Sequence, residues 1–373
     1  IQSLRRRQIG ETVRDLGLEG QKEKKGTPTM GGIIIVLAIV VPCLLVARLD
    51  NVYIILMLIS TLWMASIGYL DDYIKVVKKD KDGLKGVFKI IGQVGLGLLV
   101  AITMLMSNDV TVRMTPQEAE QGEYKIVKTV MVEDPHNAGK LVEMVHAKAA
   151  ITNVPFFKNN ELDYGRLLDF MHMNKEVMLW IVFIVAVVFI ITAVSNAANL
   201  TDGIDGLATG VSATIGAVLA AFAYLSGNSV FADYLNITFI PNSSELVIFS
   251  SCFIGACTGF LWHNSFPARV FMGDTGSLTL GGIIAALAIV LRKELLLPIL
   301  CGIFVVENLS VIIQRYYFKY TKKKYGEGRR VFLMAPIHHH FQKKGYHEAK
   351  IVTRFWIVSI ILAVMTILTL KIR

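Results

Sequence analysis

The chain has 373 residues, 54% of them hydrophobic, and its 38 Lys and Arg outnumber 29 Asp and Glu for a formal charge of +9. Apolar residues gathered into long unbroken runs exclude a water-soluble globular domain and predict an all-α, polytopic transmembrane helix bundle. The positive excess does not call for nucleic acid, because Lys and Arg collect in loops on one side of a bilayer, where they meet anionic lipid and anionic substrates.

Residues 1–29 are polar and basic, with no cleavable signal pattern, and end in Lys24-Lys25-Gly26-Thr27-Pro28-Thr29. Lysines and hydroxyls there suit an anionic ligand, and they suit positive-inside anchoring equally well. Apolar runs follow at 30–47, 52–70, 87–106, 177–194, 207–225, 246–261, 278–291, 295–313 and 355–370, which makes nine candidate spans, the seventh short. Cys43, Cys252, Cys257 and Cys301 fall inside these runs, without metal-ligand spacing, and read as small packing residues.

Alternating the loops sorts them by charge. Segments 1–29, 71–86, 195–206, 262–277 and 314–354 hold 24 Lys and Arg, and the opposite set holds 13, most of them in the long loop 107–176. The first set is therefore expected to be cytoplasmic. Helix parity alone then brings every acidic and histidine-rich motif to one face. Loop 107–176 is expected outside, as a small cap or oligomer contact in a single integral membrane domain spanning 1–373. Within it Tyr124–Val132 alternates like a strand and Ala138–Ala150 reads as a short helix. No internal repeat stands out, which weakens an inverted-repeat transporter.

Four constellations carry chemistry. The segment Ser195–Gly206 reads as a polar loop between two spans, with Asn196, Asn199, Asp202, Gly203 and Asp205. A helix cap needs one carboxylate and this island has two, so a functional reading is favoured at a membrane boundary. Asp71 and Asp72 end the second span; on a helix they point about 100° apart, so one can meet a ligand while the other pairs with lysine or caps a neighbour. Asp274, flanked by Gly273 and Gly276, allows close approach of a polar ligand and suits Mg²⁺, although a plain N-cap role is open to it. His338, His339 and His340 point in different directions on any regular backbone, so they suit donors to phosphate or sugar better than one zinc site. Together these residues describe an enzyme moving a phosphate-linked group between a soluble donor and a membrane lipid. A transporter for an anionic solute would place ionisable groups at mid-span, where Glu307 is the main one.

The motifs KKGTPTMGG, GYLDDYIKV, NAANLTDGIDGLATG, FMGDTGSL and MAPIHHHFQKKG, in this order, resemble the phospho-N-acetylmuramoyl-pentapeptide transferase family. That family is a branch of the polyprenyl-phosphate N-acetylhexosamine-1-phosphate transferases. The resemblance implies Mg²⁺-dependent transfer of phospho-MurNAc-pentapeptide from UDP-MurNAc-pentapeptide to undecaprenyl phosphate, giving lipid I and UMP, at the cytoplasmic face of a bacterial inner membrane. It implies Asp274 as the metal ligand, Asp71 as a base toward the lipid phosphate, and Asp72 in support. Asn199, Asp202, Gly203, Asp205, Asn264 and Phe271 match the uridine pocket, with Phe271 as the stacking face. Lys24, Thr29, Lys75, Gln314, His338 and His339 match the nucleotide and phosphate path, with Lys89 less directly placed. A homodimer is expected. The family has ten transmembrane helices, and this chain begins where the first would end; its loop 107–176 is also longer than the family's. A related branch that transfers GlcNAc-1-phosphate from UDP-GlcNAc carries an arginine-containing histidine motif instead of Ala-Pro-Ile-His-His-His.

Overall fold

The computed structural model describes residues 26–80, 82–134, 137–155, 161–165 and 175–370, so Lys24 lies outside the described residues. Helix α1 (Gly32–Val46) is followed by α2 (Val52–Val76), which Asn51 starts by accepting from the Tyr53 and Ile54 N–H groups. Then come α3 (Gly86–Met106), strand β1 (Val112–Met114) and the short α4 (Pro116–Gln121), opened by a Thr115–Glu118 capping box. Strands β2 (Lys125–Asp134), β3 (Asn137–Lys148), β4 (Ile151–Asn153) and β5 (Glu161–Asp163) complete the cap. The chain returns through α5 (Lys175–Thr201), α6 (Leu207–Ser226), the short α7 (Ser229–Leu235), α8 (Leu246–Asn264) and α9 (Gly273–Val290). It ends with α10 (Leu297–Leu300), α11 (Gly302–Tyr325), the short α12 (Ile337–Lys343) and α13 (Glu348–Thr369).

Each of the nine apolar runs is helical among the described residues. Among the described residues seven helices are long and apolar enough to cross a membrane; the α10–α11 pair is one run bent by 76°, and α1 is a shorter apolar helix. The chain is a polytopic helical membrane protein. Its outward side chains, Leu45, Phe189 and Ile360 among them, are exposed leucine, isoleucine and phenylalanine, as lipid contact requires.

Helix α9 is the axis of the bundle. Every residue from Thr275 to Val290 is buried, and α1, α2, α5 and α6 all pack on it. A helix apolar all round has no solvent face, which is why this run is short and carries no charge beyond its first turn. Glycines bring its N-terminus against two neighbours: a Cβ on Gly32 would overlap the Gly276 backbone, and one on Gly68 would overlap the Asp274 carbonyl. Backbone bonds from Gly31 to Phe271 O and from Gly32 to Met272 O tie the start of α1 to the same place.

Two expectations change. Ser195–Thr201 is the last two turns of α5 and not loop, because its polar side chains bond within the helix or to neighbours: Ser195 to Ile191 O, Asn196 to Thr192 O and Gln93, and Thr201 to Ala197 O. Residues 138–150 form no helix; most of them lie in β3, which pairs antiparallel with β1 and β2. Pairing on both edges and the alternate burial of Val145, Ala147 and Ala149 outweigh the helix propensity of the segment. The strand predicted at Tyr124–Val132 is β2. The cap covers the end of the bundle away from Asp274: Asn153 N and Thr152 Oγ1 donate to Arg292 O, just past the C-terminus of α9. Tyr164 donates to Glu294, and buried Lys293 donates to Asn153 Oδ1.

Candidate active site

The last turns of α2, the first turn of α3, the end of α5 and the start of α9 meet at one end of the bundle. Carboxylate oxygens of Asp71, Asp72 and Asp274 all lie within 4.8 Å of one another there. The 100° between Asp71 and Asp72 separates their work. Asp72, on the α9 side, accepts from Asp274 N at 3.0 Å, Thr275 N at 2.9 Å and Thr275 Oγ1 at 2.5 Å. It thereby caps, across a helix–helix contact, an N-terminus that has no side-chain cap of its own. Asp71, fully buried, accepts from Leu84 N at 2.7 Å and pairs with Lys75 at 2.5 Å and Lys89 at 3.0 Å.

Both lysines also reach Asp274 Oδ2, Lys75 at 3.1 Å and Lys89 at 2.5 Å, and Asn199 donates to Asp274 Oδ1 at 3.0 Å and to Ser277 at 2.9 Å. Three carboxylates against two ammoniums leave the cluster with one net negative charge, beside a helix N-terminus that favours anions. The arrangement holds hard oxygen donors ready for a divalent cation and two lysines able to turn toward phosphate.

The other predicted residues divide into two sorts. Several are spent on holding loops. Asn264 accepts from Gly206 N and Thr209 and donates to Val270 O, which fixes the segment leading to Phe271; Phe271 itself is half-buried and its backbone is pinned to Pro28 and Gly31. Asp205 accepts from Ala268 N at 3.0 Å, and Thr29 is buried next to Pro28, whose carbonyl accepts from Phe271 N. Gln314 is fully engaged with the backbone of Val331 and Phe332, so it shapes the loop that leads to the histidines.

His338 and the Asp202–Gly203 turn, one helical turn past Asn199, do come together. A Cβ on Gly203 would overlap His338 Nε2, so glycine is required for the imidazole to reach that turn. His338 Nδ1 lies 3.0 Å from Glu307 Oε2, and both side chains are fully buried. His339 bonds Gln342 at 2.7 Å. His340 accepts from Leu333 N, and burial together with the Lys344 ammonium pushes its imidazole below the ordinary value.

Sequence reasoning did not assign Glu307, Glu348 or Thr275 a role. Glu307 had a signal, as the acid standing in an apolar run. Glu348, which accepts from Asp205 N at 2.7 Å, had none, because it reads as an ordinary acid in the first turn of α13. Thr275 reads only as a small polar residue beside Asp274.

Comparison with known proteins identifies the family. A model of glycosyl transferase family 4 matches residues 54–292, and a phospho-N-acetylmuramoyl-pentapeptide-transferase signature matches residues 24–36. The chain is 58% identical to a phospho-N-acetylmuramoyl-pentapeptide-transferase of Flavobacterium johnsoniae, over all of this chain and 89% of that protein. Proteins of the same name from Parabacteroides distasonis and Porphyromonas gingivalis are 56% and 53% identical, again over all of this chain and 89% of theirs.

Proposed function

The chain belongs to the phospho-N-acetylmuramoyl-pentapeptide transferase family, within glycosyl transferase family 4, and from that premise we propose that it transfers phospho-MurNAc-pentapeptide from UDP-MurNAc-pentapeptide to undecaprenyl phosphate, giving lipid I and UMP. The observation that carries the reading is the junction of Asp71 and Asp72 from α2, Lys89 from α3, Asn199 from α5 and Asp274 from α9. The site is taken to face the cytoplasm of a bacterial inner membrane, in keeping with the distribution of Lys and Arg. We extend the proposal to a homodimer, as expected from the family.

The donor set fits Mg²⁺, which favours one or two carboxylates completed by water and phosphate oxygens. Asp274 would hold the ion, with Asp71 beside it, because Asp72 has its oxygens committed to the helix cap. Bound there, Mg²⁺ supplies charge neutralisation to the pyrophosphate. In this proposal Lys75 and Lys89 exchange their carboxylate partners for phosphate oxygens as the donor enters. Asp71, bound to two ammoniums, is a poor base; released from them, it can take the proton of a lipid phosphate monoester. The lipid phosphate is then a competent oxyanion, and direct in-line attack needs only positioning and charge neutralisation. Asn199 orients Asp274, Phe271 offers a face for uracil, and His339, packed on the buried His338, meets the sugar or phosphate of the donor.

Release of UMP from UDP-MurNAc-pentapeptide, dependent on both Mg²⁺ and undecaprenyl phosphate, tests the reading. Turnover of UDP-GlcNAc in preference would move the chain to the neighbouring branch. No UMP from either donor would overturn it.

A further inference from the structure

The cap carries an edge that the transfer reaction does not use. β2 is the outer strand of a three-stranded sheet ordered β1-β3-β2, so one row of its backbone N–H and C=O groups has no strand partner among the described residues. None of Lys125–Glu133 is buried, and Ile126, Val127 and Met131 are 48%, 39% and 61% exposed. β1 flanks β3 only at Val145–Ala147, so beyond Thr129 the arm is a bare two-stranded ribbon. Such a ribbon is marginally stable alone, and a long apolar edge is a template for another strand.

The order of side chains along β2 identifies that strand. Lys125 and Lys128 stand at its start, Glu133 and Asp134 at its end, and Thr129 with apolar residues between them. A strand with opposite charges at its two ends complements itself when laid antiparallel on its own copy. Neighbouring pairs in an antiparallel ladder alternate between hydrogen-bonded and non-hydrogen-bonded, so a two-fold axis must pass through a residue that faces its own copy. Centring on Lys128 opposes like charges. Centring on Val130 sets Glu133 against Val127; centring on Met131 pairs Lys128 with Asp134 but sets Glu133 against Thr129 and carries Lys125 past the end of the ladder, so only Lys128–Asp134 of the strand is paired. Centring on Thr129 pairs the whole of Lys125–Glu133: Lys125 against Glu133, Ile126 against Val132, Val127 against Met131 and Lys128 against Val130, each twice, with Thr129 facing Thr129. The β-bulge at Val127 leaves Lys125 opposite Glu133 or one residue diagonal to it, within reach of a long side chain in either case.

We propose that β2 pairs antiparallel with β2 of a second copy of this chain, about a two-fold axis at Thr129, joining two caps into one six-stranded sheet. Both copies stand in one bilayer, so the axis runs along the membrane normal. The inference names the contact of the proposed homodimer and rests on the cap alone, not on the transferase reading.

Single cysteines in the full-length protein, in lipid nanodiscs or native membranes, test it under mild oxidation. Thr129→Cys faces its own copy and should crosslink most of the protein to a dimer. Val127→Cys and Met131→Cys sit four residues from their own copies, roughly 13 Å along the ladder, and should crosslink at the wild-type background level. Lys125→Glu should abolish the Thr129→Cys crosslink, and adding Glu133→Lys should restore it. All these positions are exposed and remote from the acids, so UMP release should be unchanged in every variant and serves as the check on folding. A Thr129→Cys protein with wild-type activity and no crosslink above background overturns the proposal, as does equal crosslinking at 127, 129 and 131. A dimer by mass that ignores both charge changes places the contact elsewhere and overturns it too.

Discussion

Asp72→Asn separates two roles that the acidic cluster allows. In the wild type the Asp72 carboxylate accepts three hydrogen bonds, all from Asp274 and Thr275. Asparagine keeps the shape and one acceptor oxygen but turns an NH₂ group toward a backbone N–H, so at least one charge-assisted bond is lost. A hydrogen bond to a charged group contributes about 1.5–3 kcal/mol. At about 1.36 kcal/mol per decade, full expression of that loss as displacement of Asp274 slows turnover roughly ten- to a hundredfold. The same loss destabilises the start of α9, so the thermal midpoint in detergent should fall as well. The assay is Mg²⁺- and undecaprenyl-phosphate-dependent UMP release, run as a Mg²⁺ titration beside a thermal melt. A displaced Asp274 raises the Mg²⁺ concentration needed for half-maximal rate and leaves measurable turnover at saturation. An Asp72→Asn protein with wild-type melting and no turnover at any Mg²⁺ concentration would refute the cap argument and put Asp72 on the reacting atoms. Unchanged rate and melting would refute it from the other side.

Asp274→Asn should leave the protein folded with less than about a tenth of wild-type rate at saturating Mg²⁺, since a lost transition-state charge interaction costs several kcal/mol. Asp71→Asn should be impaired most below about pH 7 and recover partly above it, because the lipid phosphate loses its second proton near pH 6 unaided. A flat profile with a phospho-sugar trapped on wild-type Asp71 in the absence of lipid would replace direct attack by a covalent route. Gly203→Ala pushes a methyl into His338 Nε2; overpacking of this kind destabilises the fold by about 1–3 kcal/mol, so the thermal midpoint should fall, and the displaced imidazole should lower kcat/KM for the donor as well. Burial pushes Lys293 from its ordinary 10.5 down to about 7 against the opposing pull of Glu294 and Glu161. Between those values the unfolded chain holds a proton that the folded chain does not, so stability should rise with pH from 7 to 10.5 and level off below 7. Lys293→Met should remove that slope from the melting curves.

Much of the architecture was legible in the sequence because a bilayer leaves few choices. Backbone polar groups in lipid must be satisfied within the segment, so each apolar run had to become a helix, and parity alone placed the acids at one end. The polar islands named Asp71, Asp72, Asn199 and Asp274 for a similar reason: charge at a membrane boundary is too costly to be incidental. Helix ends were less legible, since Ser195–Thr201 looks like loop until its hydroxyls and amides find carbonyls one turn back. The cap was misread in part because a strand's preference is set by its neighbours, and β3 is a strand through β1 and β2 on either side of it. Only tertiary structure decided which acid does what. The 100° between Asp71 and Asp72 was predictable from helix geometry, but which one meets α9 depends on how Gly68 lets α2 close on the Asp274 backbone. The pairings of Lys89 with Asp274 and of His338 with Glu307 bring together residues far apart in the chain. No local pattern encodes such a distance; it is fixed when buried polar and charged groups, which are costly to leave unpaired in low dielectric, find each other as the helices pack.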